Sequence, residues 1–204
     1  MYLAIDTFSE IFEICIFSQN QILTRQMYFK KRQFSDFLPF KLKQIKDELN
    51  IDYSSLTGVI VNKGPGSYTG VRVGVSVAKS VAYSFNIPVY AFLSVDAIAY
   101  KYRVYQGYIT VILNAGKKEA YFRQYLSDGS NIEPVSNLKL VKQKDIYTDI
   151  SGLVVLKNLQ IENLVSNEVV FLNESVAYEG GLFALKHNLI EDMYKLEPVY
   201  LRGL

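Results

Sequence analysis

The sequence contains a single cysteine, Cys15, and a single histidine, His187. One thiol excludes an intramolecular disulfide and fits a reducing compartment. One thiol and one imidazole, far apart in the chain, leave too few ligands for the usual zinc sites, and neither H-E-x-x-H nor C-x-x-C occurs. A large excess of charge of one sign is also missing. A net charge of +2 is too small to imply a nucleic-acid partner by itself. Long hydrophobic runs are missing too: the stretch from Val71 to Phe85 is interrupted by Arg72 and Lys79 and falls short of the ~20 residues a spanning helix needs. The opening MYLAIDTF carries Asp6 and has neither a basic n-region nor a small-residue cleavage site, so it does not read as a signal peptide. A cytoplasmic protein with no membrane partner is expected.

What is present is an ordered change of patterns. Residues 2–6 form a short apolar run, and residues 11–18 and 21–29 read as strands joined by Gln19 and Asn20 as a hairpin turn. Phe34, Leu38, Leu42, Ile45 and Leu49 then recur at helical spacing. LTGVIVN (56–62) and IPVYAFL (87–93) read as buried strands, and Ser94 with Asp96 opens another helix. An antiparallel meander followed by βαβ units is the order of an RNase H-like unit. Near 103–107 the chain starts again. Residues 108–115 and 119–126 form a second hairpin across Gly116-Lys117-Lys118, followed by strands near 132–141, 153–157 and 169–172 and a helix near 176–189. The expected fold is α/β: mixed sheets flanked by helices in two lobes, 1–102 and 103–204.

The stretch NKGPGSYTGVRVGVSVAKSVA (62–82) concentrates the glycines between a strand and the next element. Amides at such a junction bind anions, but the established versions make further demands. A P-loop needs Lys-Ser/Thr after its last glycine, whereas Gly70 is followed by Val71-Arg72. A dinucleotide fingerprint needs G-x-G-x-x-G and a later acid; here the spacing is G-x-G-x-x-x-G, and IPVYAF offers no carboxylate. The alternating valines 71, 73, 75 and 77 also fit a strand, yet two parallel strands need a crossover, so a helix is predicted.

On that helix Gly70, Gly74, Ala78 and Ala82 fall four apart as a smooth ridge flanked by Val71, Val75 and Val81. Small residues at this spacing let two backbones approach closely. Together with Phe40, which projects away from the apolar stripe of the preceding helix, the ridge reads as a docking face for another chain. The alternative is an internal helix packed within the molecule. Arg25, Lys30, Lys31, Arg32, Lys41, Lys43 and Lys46 face only Asp36 across their stretch, which reads either as the wet face of a hairpin and helix or as a phosphate-contacting patch.

GPGSYTGVRVGVSVAKSVAYSFNIPVYAFLSVDAIA resembles the signature segment of the TsaB/YeaZ family, and YLAIDT, ILNAGKKEAYFRQY and EPVYLR extend the resemblance over most of the chain. The resemblance implies two RNase H-like lobes of the actin/hexokinase/Hsp70 (ASKHA) class. It also implies a non-catalytic partner of the TsaD-type subunit, which transfers threonylcarbamoyl to adenosine 37 of tRNA, with a TsaE-like ATPase completing the assembly. Members self-associate or bind TsaD through helices of the first lobe, and tRNA is met only through the complex. Two positions depart from the family pattern: Asn114 where Asp is usual and Gln33 where many members have His.

The ASKHA class holds ATP with two acidic, glycine-rich hairpins. Here the first would be Asp6-Thr7-Phe8-Ser9, which makes Asp6 and Thr7 the candidate cofactor-binding residues, and the second Asn114-Ala115-Gly116 lacks its acid. Gly180-Gly181 reads as a plain turn or an adenine-binding one. No resident cofactor is expected. The competing readings are a self-sufficient ATP-dependent phosphotransferase and, disfavoured by its missing ligands, a metallopeptidase-like glycoprotease.

Overall fold

The computed structural model describes residues 1–18, 21–29, 34–146, 150–159 and 168–201. The Gln19-Asn20 turn, the basic residues Lys30, Lys31 and Arg32, and Gln33 lie outside the described residues. In chain order the elements are β1 (Tyr2–Asp6), β2 (Ile11–Phe17), β3 (Ile22–Phe29), α1 (Phe34–Leu49), β4 (Gly58–Asn62), α2 (Tyr68–Phe85), β5 (Val89–Phe92), α3 (Ser94–Lys101), β6 (Gly107–Gly116), β7 (Glu119–Ser127), β8 (Ile132–Pro134), β9 (Lys139–Lys142), β10 (Leu153–Lys157), β11 (Glu168–Phe171), α4 (Ala177–Lys186) and β12 (Ile190–Glu191).

The chain divides into two units. The first, Met1–Ser94 with Ser175–Val199, is built on a sheet of order β12-β5-β4-β1-β2-β3. β1, β2 and β3 pair antiparallel; β1, β4 and β5 run parallel, as the crossover helix requires. The second, built on Val95–Glu174, has the order β11-β10-β6-β7-β8, with β9 also pairing β7. Its first two strands are antiparallel and β6, β10 and β11 parallel, so the connectivity of the first sheet recurs. Its core joins Ile112, Ala120, Ile146, Ile150, Val154 and Leu156. On β7, Arg123 Nη1 and Tyr125 Oη donate to Asp96 Oδ1 of α3 at 2.8 and 2.6 Å.

The expected boundary at 102/103 is corrected. The chain leaves the first unit at Ser94 and returns at Ser175, because α4 packs on the first sheet and β12 pairs with β5. Gly180 and Gly181 explain the close fit. They lie inside α4, not in a turn of either expected kind. A Cβ on Gly180 would press into the Phe92 ring, and one on Gly181 would sit 2.8 Å from that of Phe17.

Helix α2 forms despite its valines. Ser67 caps it, its Oγ accepting from the Gly70 N–H at 3.3 Å, and Asn86 ends it in the left-handed conformation at φ 50°. The second correction concerns its orientation. Gly70, Val71, Gly74, Val75, Ala78 and Ala82 are buried, so the small-residue ridge faces the protein's own interior, where α2 packs against β4 with β1 and β5 beside it. Thr7 is the reason the ridge must be smooth. Its hydroxyl donates to the Gly70 carbonyl at 2.8 Å and occupies the space a Cβ on Gly74 would need. Of the residues flanking the ridge, Val81 is half-buried and left partly open, as are Val73 and Val77.

Gly74→Ala therefore sets helix propensity, which favours alanine by about 1 kcal/mol, against overpacking of an anchored hydroxyl, which costs about 1–3 kcal/mol. Because Thr7 is fully buried and hydrogen-bonded, packing should win. Chemical denaturation should show Gly74→Ala destabilised, with most of the loss recovered in a Thr7→Ala background, where the remaining neighbour atom lies at 3.4 Å.

Candidate functional site: a buried carboxylate cluster and the outer face of two helices

The sites for anion chemistry in the first unit are the turn after β1, the glycine loop and the N-terminus of α4. The chain's own groups fill all of them. Asp6 and Thr7, the candidate cofactor residues, are fully buried. Asp6 Oδ1 accepts from the Phe8 N–H at 3.2 Å and from Asn62 Nδ2 at 2.9 Å; Oδ2 accepts from the Ser175 hydroxyl and, at 3.0 Å, from the Val176 N–H. The placement is a correction: Asp6 holds the entry to α4 instead of presenting oxygens to a cation, and Thr7 serves the α2 packing described above.

Beside it, Glu13 of β2 accepts the Ala177 N–H at 2.9 Å and, on its other oxygen, Arg25 Nε at 2.6 Å. Arg25 reaches on to Glu179 Oε2 at 3.1 Å. Two carboxylates thus satisfy the first amides of a helix N-terminus, the place where a phosphate would otherwise bind. Sequence reasoning missed Glu13, Glu179 and Ser175 and assigned Arg25 to a basic patch. The available signal was Glu13 itself, the one charge in the strand IFEICIF. Arg25 pairs with Cys15 across β2 and β3, so Glu13 is its diagonal neighbour on the same face.

The glycine loop is likewise closed. Ser67 N–H donates to the Phe8 carbonyl at 2.7 Å, Gly64 N–H to Asn62 Oδ1 at 2.8 Å and Val71 N–H to the Ser67 carbonyl at 2.9 Å. A Cβ on Gly66 would collide with the Phe8 backbone, so that glycine exists for the contact between loop and hairpin. In the second unit Asn114 accepts the Gly116 N–H and donates to the Asn158 carbonyl, each at 2.8 Å. A carboxylate could only accept there, which accounts for the carboxamide at this position.

Of the other residues singled out, Cys15 is buried, with its thiol pushed up to about 12 mainly by burial, so it is no ready nucleophile. His187 packs on Phe183 with ring centroids 4.4 Å apart. Arg25 belongs to its carboxylates, and Lys41 sits over the Tyr28 ring at 4.8 Å while donating to Gln44. Among the described residues of the first unit, the outer side of α1 and α2 is open. A groove of about 370 Å³ there is lined by Ser35, Tyr68, Thr69, Arg72, Val73, Ser76 and Val77. Phe40 and Tyr83 stand exposed on the same two helices.

Burial dominates the titration of the carboxylate cluster, with Arg25 opposing it at Glu13. Burial raises Asp6 against its four hydrogen bonds and lifts Glu13 from 4.5 to about 7. A carboxyl raised by folding contributes stability that is whole below its unfolded value and is lost as pH rises through the folded one. The Glu13 contribution should therefore be complete only below about pH 4.5 and fall away as pH rises through about 7, read as denaturation midpoints from below that range to above it. In Glu13→Gln that fall should flatten. Asp6→Ala, which strips four donors of their acceptor, should cost about 3 kcal/mol or more at any of these pH values.

Comparison with known proteins gives a consistent placement. The family model described as TsaD, tRNA N6-adenosine threonylcarbamoyltransferase, matches residues 19–193. The tRNA threonylcarbamoyladenosine biosynthesis protein TsaB of Bacillus subtilis is 30% identical, covering 98% of this chain and 93% of that protein. The TsaB of Buchnera aphidicola subsp. Acyrthosiphon pisum is 26% identical over 84% of this chain and 83% of its own. A solved structure described as YeaZ from Pseudomonas aeruginosa shares the fold, with a TM-score of 0.83 over 98% of this chain and 99% of that one at 17% identity. With matches of this extent in sequence and in fold, the chain belongs to the TsaB/YeaZ family.

Proposed function

We propose that this chain is an accessory subunit in threonylcarbamoyladenosine modification of tRNA, the process for which its TsaB relatives are named. Its partner is a TsaD-type catalytic subunit, with a TsaE-like ATPase completing the assembly, and it carries out no turnover of its own. The observation that carries this reading is the state of Asp6. The carboxylate on which a nucleotide site of this fold would depend is fully buried, and its oxygens accept four hydrogen bonds from Phe8, Asn62, Ser175 and Val176. Opening it to a magnesium ion would unseat α4. A fold whose phosphate positions are closed by its own side chains acts through its surface.

The outward faces of α1 and α2 are the surface that fits a protein partner. Phe40, Tyr68 and Tyr83 are 60, 55 and 69% exposed, and Val73 and Val77 line the groove between the helices. Exposed aromatics around a half-buried aliphatic floor are the composition of an interface core. The same face serves a second copy of the chain when the partner is missing, so the two assemblies compete. The docking surface is thus the opposite side of α2 from the glycine and alanine ridge.

The test is co-expression with a TsaD-type subunit, followed by size exclusion with light scattering. Ser76→Arg and Phe40→Ala with Tyr83→Ala should weaken both the homodimer and the heteromer at least tenfold. Their folding stability should stay within about 0.5 kcal/mol of the parent, as for exposed positions generally. Retention of both assemblies would exclude this face. Titration of the isolated chain with Mg-ATP should give no turnover, and hydrolysis that survives purification would favour the phosphotransferase reading.

A further inference from the structure

The hairpin between β6 and β7 turns on Lys117 and Lys118, the two residues between the paired Gly116 and Glu119. Both lysines have positive φ, 53° and 61°. A two-residue turn of this kind favours Asn-Gly, because a side chain in the left-handed region costs about 1–2 kcal/mol per residue. Local propensity thus opposes lysine at both positions, and strain retained against propensity points toward function.

A second pair of lysines is brought to the same place. Gln143 N–H donates to the Lys118 carbonyl at 2.9 Å and Gln143 Nε2 to the Glu119 carbonyl at 3.3 Å. These bonds pin the turn after β9 against the hairpin and set Lys142 and Lys144 beside it. The four lysines surround a depression of about 440 Å³ whose lining holds a single carboxylate, Glu119. None of the four is in an ion pair with the described residues. Ammonium groups gathered this way repel one another, a cost that a polyanion relieves.

We propose that this lysine cluster binds the phosphate backbone of RNA, so that the accessory subunit itself contributes electrostatic contacts to the tRNA. The choice of RNA rests on the function proposed above; the existence of an anion-binding site does not. Extended, sequence-independent phosphate contact is the recognition four exposed ammonium groups provide. It is also the kind that falls steeply with salt.

The probe is a fluorescent unmodified tRNA transcript, titrated against the full chain alone and in complex with the TsaD-type subunit. With four phosphates neutralised, the affinity of the chain should fall roughly 100-fold between about 50 and 200 mM salt. Lys117→Asn with Lys118→Gly removes two charges while giving the turn its preferred residues, so RNA affinity should drop while the thermal midpoint rises. Lys142→Gln with Lys144→Gln should lower the logarithmic salt slope by about 2, or about 1 per lysine. An unchanged slope in both variants, or no binding by the parent chain and its complex, overturns the proposal. Neutralisation that leaves RNA affinity intact but weakens the protein complex, measured without RNA, also overturns it and assigns the patch to an acidic protein surface. Loss of the parent complex itself would sink the accessory-subunit reading while leaving the RNA titration of the isolated chain decisive.

Discussion

The first unit depends on a buried carboxylate that never meets solvent. Asp6 gathers the turn after β1, the end of β4 and the start of α4 through Phe8, Asn62, Ser175 and Val176. Asn62 extends the network, its Oδ1 accepting from the Gly64 N–H and from the Ser94 hydroxyl, which also donates to the Pro65 carbonyl. A charge in such a place is tolerable only when its lone pairs are filled. The network thus fixes where the glycine loop lies and where the returning helix begins.

The same closure extends to the phosphate-type elements of the first unit. A helix N-terminus and a glycine loop are two standard means of binding phosphate, and both are present. Glu13 and Asp6 satisfy the first, and Phe8 with Asn62 satisfies the second. Both elements are taken up by contacts within the first unit. What the surface offers in exchange is a pair of helices with aromatic side chains turned outward and, on the second unit, a lysine-rich turn.

Much of the architecture was legible in the chain because period and turn chemistry agree. The strands from β1 to β7, the helix from Phe34 to Leu49 and the restart near Gly107 stand where their patterns place them, whereas the short edge strand β12 had no pattern to mark it. The return of α4 to the first sheet was not legible. Its apolar face fits either sheet, and the choice is made by Gly180 beneath Phe92 and by carboxylates contributed from residues more than a hundred positions away. The same limit explains why Asp6 read as a cofactor ligand: an acid at a strand end has the same sequence signature whether its donors are water, a metal or a distant amide.

The order of elements, the helical nature of the valine-rich crossover and the absence of the standard phosphate fingerprints can all be read along the chain, since each follows from local periodicity and spacing. So can the smooth ridge of glycine and alanine on α2. Which way that ridge faces is settled by long-range packing. Close approach of two backbones requires small residues whether the second backbone belongs to the same chain or to another, and the Thr7 hydroxyl seated against Gly74 makes it the same chain.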